Sequence, residues 1–233
     1  MISAFMFALC STLVGQTPQM RQWYIAPKIV EMPLSASPVV TPMPTINGFA
    51  PAQALQVANG MYDDAGNLLF YVSDNDVYDY NNSLIGSIDP ANGGSEIVIA
   101  PFGDNNSCRN KFNIFTTSAN ANGEVSLVQT IVDLRSFSLT SDIVFSMPID
   151  QEFGALALSN PYPSGLRFLY FLGGSGTINS LGGGMIYKLT VNFNGTVTTP
   201  TLFFPATPYV NDGAEVFSRE LDLSPDGRYM AWA

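Results

Sequence analysis

"YDDAGNLLFYVSDNDVYDYNNSLIG", residues 62–86, places two acids and a glycine at a corner, follows them with six strand formers, and breaks again at Asp74-Asn75-Asp76. A second short strand ends at Asn81-Asn82. Asp63, Asp64, Asp74, Asp76 and Asp79 put five carboxylates within seventeen residues, enough to raise a calcium site. Asp74-x-Asp76, however, lacks the third ligand, the glycine and the terminal Glu of an EF-hand loop. Asp and Asn at hairpin corners also cap their own backbone. The stretch therefore reads as a hairpin, and no metal ligand, cofactor or catalytic residue is assigned from it.

The same grammar returns along the chain. Gly66-Asn67 leads into "LLFYVS", Asn122-Gly123 into "EVSLVQTIVDL", Asn194-Gly195 into "TVTTPTLFF" and Asp226-Gly227 into "RYMAWA". Each pair supplies the positive φ of a tight hairpin turn and is flanked by β-formers. "FNIFTTSA", "MIYKLTVNF" and "RELDLSP" read as the upstream partners, and "SEIVIAPF", "DIVFSMPI", "GALALSN" and "RFLYFLGG" as further strands. No window of a dozen residues carries a helical stripe. Before them, "RQWYIAPKIVEMPLSASPVVTPMPTINGFAP" has a proline every few residues, which predicts an extended segment with edge strands and no helix. The fold class is all-β.

Two all-β architectures fit. "EIVIAPF" at 96, "GALALSN" at 154 and "RELDLSP" at 219 are comparable strands at an irregular spacing of 58 and 65 residues. Four short strands per unit is the pattern of a β-propeller blade, whose repeat is roughly 40 to 50 residues. A β-sandwich also uses many short strands with frequent turns. "LSPDGRYMAWA", a Ser-Pro-Asp-Gly corner before an aromatic strand, favours the propeller, because it resembles the hairpin of TolB and WD40-like repeats. Residues 21–233 are expected to form a β-propeller-like region of about three to four blades, an incomplete open arc truncated at its C-terminus. Such an arc would self-associate unless the missing C-terminal blades of the same polypeptide, or a partner, closed it.

A wider resemblance runs through the "WY" strand, "DDAGNLLFYVSDNDVYDYNN", "SEIVIAPFGDNNSCRNKFNIFTT", "IYKLTVNFNGTVTTPTLF" and "LDLSPDGRYMAWA" in that order. This order resembles the N-terminal propeller region of large secreted proteins of Bacteroidetes-type bacteria, cargo of type IX secretion. The segment from Asp63 to Tyr71, followed by Val77-Tyr78, matches that family's "D-x-x-G-x-LLFY" strand and the short strand after it. The resemblance implies a secreted propeller and brings no enzymatic residues with it.

Composition narrows function by exclusion. A formal charge of −10 with nine Lys and Arg opposes nucleic acid and anionic membrane surfaces. The absence of histidine removes Ser-His-Asp and Cys-His catalysis and the commonest zinc ligand. "MISAFMFALCSTLVGQ" is an apolar run of signal-peptide length, too short to span a membrane, so residues 1–20 read as a secretory leader. No Lys or Arg precedes the run; either the leader is atypical or Met1 is internal to a longer reading frame. A lipoprotein signal at Cys10 is the alternative, although Leu9 stands where a small residue is expected. Removal of the leader would leave Cys108 as a lone packing thiol.

The leading function is a secreted, non-catalytic module that presents loops to a protein or glycan at the cell surface. Trp23, Tyr78, Tyr80, Tyr162 and Tyr209 are its candidate rim aromatics. The alternative is a carbohydrate-active, glycoside hydrolase-like propeller using paired carboxylates, either Asp150 with Glu152 or Glu215 with Glu220. "FLGGSGTINSLGGGMIYK" lacks the Gly-Lys-Ser/Thr of a phosphate loop and reads as a connection between strands.

Overall fold

The structure is a computed structural model. It describes residues 22–25, 28–31, 37–43, 45, 54, 57–63, 66–91, 96–102, 110–119, 125–147, 155–162, 164–173, 185–205, 221–224, 227 and 229–232. The described residues are all-β, with no helix, and their strands form five small antiparallel sheets. Every strand pairs with its neighbour in sequence. The first sheet is three-stranded: β1 (Gln22–Ile25), β2 (Lys28–Glu31) and β3 (Val39–Pro42). The second holds β4 (Ala58–Tyr62), β5 (Leu68–Ser73), β6 (Asp76–Asp79) and β7 (Leu84–Ser87). In the third are β8 (Val98–Pro101), β9 (Lys111–Ala119), β10 (Val125–Asp133) and β11 (Ser138–Met147). The fourth comprises β12 (Leu156–Leu158), β13 (Arg167–Gly173), β14 (Met185–Val191) and β15 (Thr201–Pro205). A two-stranded sheet of β16 (Leu221–Leu223) and β17 (Met230–Trp232) follows.

The middle strands carry continuous apolar runs instead of alternating ones because both of their faces are covered. Side chains alternate across a strand, and here each side meets a different neighbour. Phe70 and Val72 of β5 pack with Phe112, Ile114 and Val128 of the third sheet, while Tyr71 between them packs with Met43 and Ile29. Phe112 and Ile114 of β9 face the second sheet; Phe115 joins Leu169, Phe171 and Leu189 of the fourth. Leu169 and Phe171 face back to the third sheet, whereas Tyr170 meets Leu221 of the last. Each sheet is thus covered by the next in sequence. Burying one such side chain contributes about 1.5–3 kcal/mol.

Contacts between the first strands give the series an axis. β1 lies beside β4, β4 beside β8, β8 beside β12, and β12 beside β16. The three strands aligned from sequence at 96, 154 and 219 are β8, β12 and β16. The expected "TVTTPTLFF" strand is shorter than its β-formers suggest. Only Thr201–Pro205 pairs along β14, while Thr196 is drawn into the preceding turn and Val197 makes an isolated bridge to Val191.

Candidate binding face

The described acids of residues 62–86 accept hydrogen bonds from their own sheet or from Val57 just before it. Asp63 accepts from the Asn67 backbone at 2.8 Å and from Asn67 Nδ2 at 2.9 Å, closing the β4–β5 corner where Gly66 holds φ +84°. Asp79, buried, accepts from the amides of Asn81 and Ser83, each at 2.8 Å. Asp74 takes φ +54° and accepts from Val57 N at 3.0 Å. Asp76 accepts from Ser87 Oγ at 2.6 Å and from the Tyr78 hydroxyl at 3.3 Å. Burial first, and the Asp76 carboxylate second, raise the Tyr78 hydroxyl above its ordinary pKa. Asp63 and Asp79 sit at one end of the sheet and Asp74 and Asp76 at the other; the three residue steps of β6 from Asp76 to Asp79 span roughly 10 Å. Among the described residues no three His, Cys, Asp or Glu side chains gather where they could hold a metal ion. Asp64, Asp150, Glu152, Glu215, Glu220, Cys10, Cys108, Tyr209 and the leader lie outside the described residues, as does the glycine-rich connection after β13.

Aromatic side chains have a different distribution. In an antiparallel meander, the first-to-second and third-to-fourth turns leave from one end of the sheet, and the second-to-third from the other. Contacts between sheets bring those ends into line. Asn59 Nδ2, in β4, donates to Ile97 O, just before β8, at 2.6 Å, so the two strands begin at the same end. The β14–β15 turn presses Gly195 against Phe102, just past β8: a Cβ on Gly195 would lie 1.9 Å from Phe102 Cζ. The hydroxyl of Tyr162, between β12 and β13, lies 3.9 Å from where a Cβ of Gly227 would sit, between β16 and β17. The turns that carry Tyr80, Phe137, Tyr162, Phe193 and Tyr229 therefore share one end. All five side chains are between 44% and 73% exposed. The other exposed large hydrophobics among the described residues are Val39, Val40, Leu84, Ile143, Leu202 and Phe203, and each lies on the last strand of its sheet.

Of the rim aromatics expected from sequence, Tyr80 and Tyr162 are brought to this end. Tyr78 is partly buried in β6, stacked on Tyr71 at 5.0 Å between centroids, and Trp23 lies in β1. Sequence reasoning passed over Phe137, Phe193 and Tyr229. Their neighbours in "RSFS", "NFNG" and "DGRY" are turn formers, and an aromatic inside a turn is the signal that would have found them. No family model matches the chain, and neither do any curated protein or solved structure.

Proposed function

We propose that this chain is a β-propeller module, exported from the cell, that binds a protein or glycan through its ring-bearing end and carries out no chemistry of its own. Three features support the propeller reading: four-stranded meanders in series, first strands that follow one line, and exposed aliphatic groups confined to last strands. Blades arranged around an axis would produce all three. The apolar leader and the resemblance to secreted propeller proteins support export.

The observation that carries the binding reading is the gathering of five exposed rings at one end. Aromatic side chains supply large contact area at small entropic cost, and they are enriched where proteins meet partners. At this end the described carboxylates are bound to backbone amides, which suits a surface that recognises and does not react. A glycan array probed with the intact chain and with a Tyr80→Ser, Phe137→Ser, Phe193→Ser variant tests the reading. The variant is expected to lose the array signals while melting at the same temperature. Absent signals contradict a glycan ligand and leave a protein as the ligand class; signals unmoved by the triple change contradict the ring-bearing end as the binding face.

A further inference from the structure

Tyr80, Phe137 and Phe193 occupy the same place in three successive sheets, each in the turn from third to fourth strand. They are exposed alike, at 51%, 51% and 55%. Phe137 also takes φ +48°. The left-handed region costs a residue with a side chain about 1–2 kcal/mol, and a ring half in water recovers little of that by burial. A ring set in a turn against local preference, and left at the surface, points to a use outside the fold. Contacts between the sheets fix how the three turns follow one another. The side chain of Leu139, two residues past Phe137, lies 3.0 Å from where a Cβ of Gly86 would sit in β7, so the outer strands of the second and third sheets touch beside these turns. Gly195, two residues past Phe193, presses on Phe102 and accepts from Gln129 Nε2 at 2.7 Å, which seats the turn of the fourth sheet on the third. Sheets stacked face to face lie about 10 Å apart, so the three rings are rungs at one sheet spacing each.

Charge and spacing select the occupant. The described carboxylates beside these turns are engaged: Asp79 by the amides of Asn81 and Ser83, Asp133 by the amide of Arg135 and the Lys111 ammonium. A formal charge of −10 repels an anionic chain. An extended peptide presents same-face side chains every second residue, at about 6.5–7 Å, out of step with the rungs. An extended β-1,4-linked polysaccharide turns alternate pyranoses over, so every second sugar offers the same C–H face, and a pair of sugars covers about one sheet spacing. An α-1,4-linked chain curves away from such a line. Ser136 and Asn194, exposed beside two of the rings, suit sugar hydroxyls. We infer that Tyr80, Phe137 and Phe193 form a ladder for one extended, uncharged β-1,4-linked polysaccharide, with a ring under every second sugar. The inference rests on the glycan form of the proposed function and names its ligand class.

Titration calorimetry on the full chain with cellohexaose, mannohexaose and xylohexaose, each beside its own trimer, and with maltohexaose, tests the ladder. At least one β-1,4 hexamer should bind, about tenfold more tightly than its trimer, because only five or more sugars reach all three rings. Maltohexaose should not bind. Phe137→Asn removes the middle rung and substitutes a residue that accepts the left-handed backbone. Hexamer affinity should then fall about tenfold while the melting temperature holds or rises. If that variant melts lower, Phe193→Ser carries the same test, with the same loss expected. No binding of any β-1,4 hexamer, equal affinity for trimer and hexamer, maltohexaose bound as tightly, or full affinity after a rung is removed would overturn the assignment. The outcome is separable from that of the array. Array signals lost in the Tyr80, Phe137, Phe193 variant, with no gain in affinity from trimer to hexamer, would sink the ladder alone. Array signals that the triple change leaves in place would sink the ring-end reading and the ladder with it.

Discussion

Gly66 and Gly195 share a positive φ, +84° and +83°, yet the two positions demand glycine to different degrees. A Cβ at Gly66 meets nothing within 4 Å, whereas at Gly195 it would enter the ring of Phe102. Gly66→Ala should therefore cost only the left-handed backbone penalty, about 1–2 kcal/mol. Gly195→Ala adds a collision between two sheets and should cost roughly 2–4 kcal/mol. Denaturant melts of the two variants compare them directly; equal costs would mean that the turn does not dock on Phe102. Asp79→Ala removes the acceptor for two turn amides and should destabilise by about 1–3 kcal/mol. Glycine turns were legible because positive φ has a residue signature. The turn at 134–137 was not, because it contains no glycine. There Phe137 takes φ +48°, and the Asp133 side chain accepts from Arg135 N at 3.0 Å. Hence β11 begins at Ser138, four residues before the expected "DIVFSMPI" strand.

Strands with both faces covered were easy to find and their partners were not. "LLFYVS" is β5 to the residue, because β-formers bounded by turns define a strand locally. Which sheet each face meets depends on long-range stacking, and an apolar run does not encode it. β4, with Gly60 inside, has too weak a β signature to be seen, and β7 is hidden in "LIGS" for the same reason. The polar contact between the third and fourth sheets was equally hidden. Buried Gln129 on β10 donates to Asn113 Oδ1 at 2.6 Å and to Gly195 O at 2.7 Å, so one side chain ties β9, β10 and the β14–β15 turn. Gln129→Ala should cost about 1–3 kcal/mol in a denaturant melt, because it strands buried polar partners. At the open end of the same sheet, the amide of Arg135 and then the Lys111 ammonium, 3.1 Å away, hold the Asp133 carboxyl below its ordinary 3.8. A lowered folded-state pKa gives stability that is present above the ordinary value and is lost as pH falls through the lowered one. Asp133→Asn should therefore flatten the acid limb of the melting temperature below about pH 4.

At the scale of the molecule, the five sheets are held as a series, and the ring-bearing end exists because the sheets keep one orientation along it. Sequence carried the all-β class and three of the aligned first strands. It could not carry the common end, which follows from contacts such as Asn59 with Ile97 and Gly195 with Phe102. Since the described acids of residues 62–86 bind amides and hydroxyls of their own sheet or of Val57 just before it, EDTA should leave the melting temperature unchanged. A drop would reassign them to a metal. Face-to-face stacking of consecutive sheets is the claim on which the rest depends, and a double-mutant cycle between Phe70 of β5 and Phe112 of β9 measures it. Their ring centroids are 5.0 Å apart at 59° across the boundary between the second and third sheets. With Phe70→Leu, Phe112→Leu and the double variant, the account predicts a coupling energy of about 0.5–1.5 kcal/mol. Strictly additive losses, with no coupling beyond the error of the melts, would contradict it.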